Sequence, residues 1–578
     1  MSTHKSIIII GAGIGGLSAA IRLAAQGHSV TILERQAQIG GKLNHVEMKG
    51  FSFDTGPSLI TMPYVLEDLF SSAQRDLKDY LELIPLDITC RYFYHDGVVL
   101  NAWRDHARLA EEFARLNPHD GKAFYRFLDH ARNIYQAAAD PFLYHSLGSP
   151  LNVFRTFVRY VLRGHPGEAV RRDQIYRVRR AIYRVRRAIY RARFLAQSVL
   201  FGISPDKSGR GRDKSGPYAH PLKVVPSTTL RSRLKAVLAA LSPQTLDSSV
   251  RSFFEDEHLR QLFDRYATYN GSSPYQVASV YSIIPFVELA DGGWYPRGGI
   301  YAVAQALERL ARELGVTIET CCNVQRILVE HNEARGIVLA DGRVLRSDVV
   351  IANSDVVTTH RELLSPAISN KRRVQRLEQL EPSCSGFVLL LGVDKQYPQL
   401  AHHNIFFSDD YHAEFDDLFE RHVPLSNPTI YVCATTRSDP TQAPPGHENL
   451  FVLVNAPYLT AKSDWKRDAS AYRDRVLDLL AGYTQVDLHD IREHIVCEAI
   501  LTPEDFREKY GANAGSIYGL SSNPRMAPFT RPGNKSEVHN LYFVGGSTHP
   551  GGGVPLVMLS GKIVAELVGT DLSRPHGG

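Results

Sequence analysis

The residues best suited to chemistry stand near the start of the chain. Ile7 to Ile10 form a β-branched run, Gly11-Ala12-Gly13-Ile14-Gly15-Gly16 follow at once, and Leu17 to Ala24 continue with helix-forming residues. Gly11, Gly13 and Gly16 have GxGxxG spacing. The first glycine suits a tight turn, the second lets backbone approach a pyrophosphate, and the third lets the helix pack on its sheet. The start of that helix offers N–H groups and a positive dipole end to the phosphates. Gly27-His28 ends the helix and Ser29 to Leu33 reads as the next strand. Glu34 then falls where a carboxylate reaches both hydroxyls of an adenosine ribose. Strand, glycines, helix, strand and acid in this order mark a dinucleotide site, without separating FAD from NAD.

The other end of the chain repeats the theme. Leu541-Tyr542-Phe543-Val544-Gly545-Gly546 is a strand running into glycines, Ser547 to Pro555 form a loop, and Leu556 to Val568 read as a helix. Its first N–H groups are placed to face a diphosphate or ribityl chain. Two such turns at opposite ends of one chain imply a single cofactor held by both.

Between them lie the elements that must hold these turns together. Tyr64 to Tyr144 is helix-rich, with a hairpin expected around Arg91 to Leu100, where Asp96-Gly97 is the turn. A further helical block is expected from about Leu151 to Tyr281, broken by a polar loop at Asp206 to Gly216. Tyr301 to Leu314 is a periodic helix ended by Gly315, Val316 to Thr320 a strand, Gly336 to Leu345 part of a meander, and Asp348 to Asn353 another strand. These readings predict an α/β protein. A Rossmann-type dinucleotide-binding domain is assembled from discontinuous segments (1–100, 286–360 and 536–578), with an inserted α+β domain (361–535) and a helical region (101–285); the family resemblance carried by the motifs that follow implies that these are the FAD-binding, the substrate-binding and the membrane-facing parts.

Length and composition narrow the class. With 578 residues, 44% hydrophobic, 22% charged and a net charge of +5, the chain is an ordinary globular protein, neither disordered nor fibrous. Its six cysteines show neither metal spacing nor a disulfide framework, which fits a reducing cytoplasm. The apolar run at Ile7 to Ile10 is too short for a signal peptide, and no run is long enough to span a bilayer. Any membrane contact is therefore expected to be peripheral. His402-His403 is not expected to hold a metal, because neighbours on a regular strand face opposite ways. No Ser/His/Asp set or P-loop is present, so the expected chemistry belongs to a cofactor.

Three blocks narrow that cofactor. Ile39-Gly40-Gly41-Lys42-Leu43-Asn44 and Gly50 to Ser58, containing Asp54-Thr55-Gly56-Pro57, resemble the GGR/K and D-x-GP pattern of amine-oxidase and carotenoid-desaturase flavoproteins. With Gly293 to Gly299 and Leu541 to Gly561, the chain resembles the bacterial-type phytoene desaturase family. The segments Pro398 to Phe407 and Pro428 to Val432 are similar to its diapophytoene desaturase and diapolycopene oxidase branch. The resemblance implies non-covalent FAD and oxidation of long acyclic polyenes made in the membrane, by hydride transfer to flavin N5, with oxygen or a quinone taking the electrons. It implies a place on the inner face of the cell membrane.

The candidate cofactor-binding residues are Gly11, Gly13, Gly15, Gly16, Glu34, Arg35, Gly41, Lys42, Leu43, Gly56, Pro57, Ser58, Val324, Gly545, Gly546, Pro555, Leu556 and Val557. Glu288, Arg297 and His549 are polar candidates near the flavin, and no catalytic base is assigned. Desaturation is the leading expectation. The alternatives are oxidation of a terminal methyl group and a flavin-free lipid chaperone on the scaffold of the GDP-dissociation inhibitors.

The arginine-rich stretch lies outside the family pattern. Residues 171–193 hold ten arginines against Asp173 alone, in a tandem repeat of Ile-Tyr-Arg-Val-Arg-Arg-Ala from Ile175. Ile175, Val178, Ile182, Val185 and Ile189 would share one stripe of a helix. That stripe reads equally as an interfacial helix and as a solvated helix packed on the protein. Nucleic acid is not an expected partner.

Overall fold

The computed structural model describes residues 4–146, 236–237, 239–240, 242–369, 371–524, 527 and 531–573. The arginine repeat and the polar loop at Asp206 to Gly216 lie outside the described residues. Two sheets organise the rest.

The first is a five-stranded parallel sheet in the order Leu541–Phe543, Val349–Ala352, Ser6–Ile10, Ser29–Leu33, Thr317–Glu319. Its strands come from the start, middle and end of the chain, as the separated motifs predict. Ile7 and Ile9 pack into the main core while Ile8 and Ile10 pack into a second one, so both faces of the central strand are covered. The antiparallel meander Val324–Glu330, Glu333–Leu339, Val344–Arg346 supplies that second core.

The helices after the two glycine turns lie against each other. A Cβ on Gly561 would stand 2.8 Å from the Ala19 backbone nitrogen, and Ser18 Oγ donates to the Met558 carbonyl at 2.9 Å. Only a glycine permits the helix Val554–Leu572 to approach the helix Ile14–Ala25 this closely.

The second sheet has seven strands, in the order Ile495–Leu501, Ser385–Val393, Glu448–Ala456, Ile430–Cys433, His403–Phe406, Ile88–Phe93, Val99–Trp103. Ser385–Val393 is buried at every position, so its sequence reads as a continuous apolar run without alternation. The expected hairpin is present: Asn404, Ile405 and Phe406 pair with Arg91, Tyr92 and Phe93, which puts it at the edge of the seven-stranded sheet. Helices Pro63–Ser72, His106–Leu116, Pro118–Leu143, Leu246–Arg251, Glu257–Asp264 and Ile283–Asp291 make up the described helical region. Among the described residues, no helix is long and apolar enough to cross a membrane.

Candidate functional site

A cavity of about 570 Å³ runs from the glycine turns of the parallel sheet to one face of the seven-stranded sheet. Of the candidate residues, Gly11, Gly13, Gly15, Glu34, Arg35, Gly41, Lys42, Leu43, Gly56, Pro57, Ser58, Val324, Gly545, Gly546, Pro555 and Val557 line it. Two do not. Gly16 packs behind the turn, where a Cβ would lie 2.3 Å from the Gly11 carbonyl oxygen, in the helix-to-sheet role its spacing implies. Leu556 is half-buried and packs against the main core.

The turns are shaped by close approach. Gly11 and Gly545 have φ of +95° and +115°, backbone that side-chain-bearing residues rarely adopt. A Cβ on Gly15 would lie 3.2 Å from Gly545 Cα, so the two chain ends meet here. Between them stands Asn353, whose Nδ2 donates to the Gly11 carbonyl at 3.2 Å and would lie 2.9 Å from a Cβ on Gly13. Both adjacent helices start without a side-chain cap and without an acid in the first turn. Their first N–H groups are thus left for an anion.

Glu34 is buried. Its Oε2 accepts from Ala12 N and its Oε1 from Gln36 N, each at 2.8 Å. A carboxylate has about four lone-pair sites, so two remain for a ribose. Arg35 donates to the Glu508 and Lys509 carbonyls, tying this edge to the helix Pro503–Tyr510. Lys42, which also borders the cavity, donates through Nζ to the carbonyls of Ser516 (3.1 Å) and Ile517 (2.7 Å). Burial pushes its pKa down to about 8, opposed by the Asp355 carboxylate.

The far wall is made of side chains. Val388, Leu453, Tyr431 and Ile405 are cross-strand partners in one continuous row, and all four border the cavity. Phe506, Ile517 and Tyr411 extend the apolar lining. Tyr431 OH joins Ser58 Oγ to His403 Nδ1, the latter at 2.7 Å. Arg265 lies 5.3, 4.6 and 5.2 Å from the ring centroids of Tyr92, Tyr266 and Tyr269, and donates to Tyr92 OH at 2.9 Å. Tyr266 and Tyr269 in turn donate to Glu288. This box encloses the buried cation in aromatic faces and balances it with a carboxylate 3.9 Å away.

Glu288, Arg297 and His549 do not line the cavity. Glu288 belongs to the arginine box, exposed Arg297 pairs with Glu82, and buried His549 bonds through Nε2 to the His145 carbonyl. Asn353, Arg265 and Tyr431 were not singled out by sequence reasoning. Only Asn353 carried a local signal, as the polar residue ending a fully buried strand. His402 and His403 also depart from expectation. The strand begins at His403, and His402 sits in a bend before it, so strand alternation does not separate them and their rings lie 4.4 Å apart.

The two uncapped helix starts, the side-chain-free turns and the buried acid fit a dinucleotide with a diphosphate centre. When bound, FAD supplies a two-electron acceptor, while the chain's own residues position and enclose the reacting groups.

Comparison with known proteins agrees with that geometry. Residues 227–569 match the family of flavin containing amine oxidoreductases, and residues 9–73 match an NAD(P)-binding Rossmann-like domain. A 4,4'-diapolycopene oxygenase of Methylomonas sp. is 35% identical over 571 residues, covering 98% of this chain and 99% of the relative. A 4,4'-diaponeurosporene oxygenase of Staphylococcus haemolyticus is 34% identical over 567 residues, covering 98% and 97%. Among solved structures, a putrescine oxidase variant superposes with a TM-score of 0.58 at 13% identity over 98% of this chain and 99% of its own, and is similar in fold. The chain belongs to the flavin containing amine oxidoreductase family, in the diapolycopene oxidase branch of its carotenoid desaturase-like members, and is an FAD-dependent oxidoreductase.

Proposed function

We propose that the protein oxidises a terminal methyl group of a long acyclic polyene, such as 4,4'-diapolycopene, to an aldehyde. The observation that carries this reading is its similarity, over nearly the whole chain, to oxygenases of diapolycopene and diaponeurosporene. The apolar row Val388, Leu453, Tyr431, Ile405 supports it, since a hydrocarbon substrate is held by shape and burial rather than by polar anchors. In this reading the FAD diphosphate lies between the two glycine turns, its ribose meets Glu34, and the polyene lies along the far wall. The overall reaction consumes one O2 per methyl, giving one aldehyde and one water. The substrate enters from a membrane surface, with the arginine repeat attracted to anionic lipid.

The test is mass spectrometry of the product after aerobic incubation of the FAD-loaded protein with 4,4'-diapolycopene in liposomes. The reading predicts a product that has gained oxygen at a chain end. Loss of hydrogen without oxygen gain from a less unsaturated precursor would instead make the chain a desaturase. Purified protein unable to take up FAD would return the lipid-chaperone alternative. Replacing Arg179, Arg180, Arg186 and Arg187 with Gln is expected to weaken binding to anionic vesicles; unchanged, salt-insensitive binding would refute electrostatic docking.

A further inference from the structure

Beside the apolar row lies a cluster that the oxidation does not use. His403 and Cys433 are cross-strand partners, and Cys433 also pairs with Phe451, so the three side chains form the next row on the cavity face. His403 and Phe451 border the cavity. The ring of His402 turns back from its bend to meet that of His403 edge to face. One donor atom from each of His402, His403 and Cys433 lies within 4.8 Å of the others. The three residues are only 4%, 3% and 0% exposed.

The pairing of the ring nitrogens is uneven in a telling way. His402 Nδ1 is hydrogen-bonded to Ser438 Oγ and His403 Nδ1 to Tyr431 OH, each at 2.7 Å. Both Nε2 atoms are buried with no partner. A buried polar atom left unpaired costs about 1–3 kcal/mol, and here two occur side by side next to a thiol. Ligating histidines are commonly oriented by a hydrogen bond on the nitrogen that does not bind, which is the role Ser438 and Tyr431 fill.

We propose that His402, His403 and Cys433 form a three-donor site for a soft or borderline transition-metal ion, copper(I) or zinc(II), bound through the two Nε2 atoms and the Cys433 sulfur. The donor chemistry suits these ions, since thiolate and imidazole together select them over magnesium or calcium. Bond lengths of 2.0–2.3 Å place donors about 3.3–3.8 Å apart, so rotation of the rings closes the present span on an ion. Both imidazoles ligate in the neutral form, each through the nitrogen that its hydrogen bond leaves free. An ordinary cysteine thiol is protonated at neutral pH, so the free site carries S–H. Binding therefore breaks the S–H bond, forms a metal–sulfur bond and releases one proton to solvent, without a change of oxidation state. Copper(I) with one thiolate is neutral, which a dry site favours, whereas zinc(II) leaves one positive charge.

The test uses the full-length FAD-loaded protein, stripped with a chelator and titrated anaerobically with copper(I), and separately with zinc(II), against a chromophoric competitor. One ion per chain is expected. Cobalt(II) is expected to give a thiolate-to-metal charge-transfer band in the near ultraviolet. Cys433→Ala and His402→Leu, checked for flavin content and circular dichroism, should abolish the band and weaken uptake about 100-fold or more. Wild-type protein that takes up no stoichiometric ion and gives no cobalt band, or uptake indifferent to both variants, overturns the site. The wild-type band decides the matter even if a variant fails to fold. The experiment is independent of the substrate, so its failure leaves the proposed oxidation standing.

Discussion

The two ends of the cavity are built from different material. At the glycine end the walls are backbone: Gly11, Gly13 and Gly15 face Gly545 and Gly546, and one side chain, Asn353, wedges between the turns. At the far end the walls are side chains from five strands and a 3₁₀ turn, with buried Arg265 and His403 and half-buried Tyr431 set among apolar residues. A ligand at the first end meets amide dipoles whose positions follow from local turns. A ligand at the second meets a surface that exists only once distant segments have paired. A substitution at the first end should therefore act on cofactor binding, and one at the second on substrate, stability or pH dependence.

Gly13→Val should have the largest effect. Its branched side chain enters the space beside Asn353 Nδ2 and the first N–H groups of the helix Ile14–Ala25, so flavin affinity should fall about 100-fold or more, corresponding to roughly 3 kcal/mol. The flavin-to-protein absorbance ratio measures this, and far-ultraviolet circular dichroism should stay close to that of the parent.

Glu34→Ala comes next. It removes the acceptor for Ala12 N and Gln36 N as well as the ribose contact, so FAD should weaken by about 1.5–3 kcal/mol and the melting temperature should also drop. Titration calorimetry and a thermal melt of the apoprotein separate the two effects. Unchanged affinity would remove Glu34 from the ribose site.

At the far wall, Tyr431→Phe should leave flavin content untouched. It deprives Ser58 Oγ and His403 Nδ1 of their shared partner, at a cost of about 1–2 kcal/mol read from denaturant unfolding. Loss of flavin in this variant would mean that the two ends are not separable.

The smallest effect concerns pH. Glu414 is buried against Thr429 and Ser408, and burial raises its pKa to about 7 from the ordinary 4.5. A raised folded-state pKa contributes stability that is complete below about 4.5 and is lost as pH rises through 7. Glu414→Gln should flatten that decline, losing most stability relative to the parent at pH 4 and least at pH 8. Parallel stability profiles for the two proteins would show that Glu414 ionises normally.

The same contrast explains what was legible in the sequence. Gly11 to Gly16, Glu34 and Gly545 to Val557 were readable because each sits on a strand-turn-helix unit whose glycines have one stereochemical use. The strands of the parallel sheet were readable as short, β-branched apolar runs, down to the piece at Val349–Ala352. The far wall was not, because Val388, Leu453, Tyr431 and Ile405 become neighbours only through register, and no short pattern encodes register between strands dozens of residues apart. The hairpin around Arg91 to Leu100 was readable as a hairpin but its neighbour in the seven-stranded sheet was not, since its Asp96-Gly97 turn specifies its own pairing only. Lys42 was readable as a site residue but not as a clamp on the carbonyls of Ser516 and Ile517, a contact between segments far apart in the chain. The convergence of His402 and His403 was hidden by the assumption that the strand starts one residue earlier than it does.

The central claim is that flavin at the glycine end serves oxidation of a polyene at the far end. The most direct measurement is the pigment profile of a host that makes 4,4'-diapolycopene, expressing either the parent chain or Gly13→Val at matched soluble levels. The account predicts oxygen-bearing, chain-end-oxidised pigment with the parent and unmodified polyene with the variant. Oxidised pigment formed equally by the flavin-free variant, or none formed by the flavin-loaded parent, would contradict it.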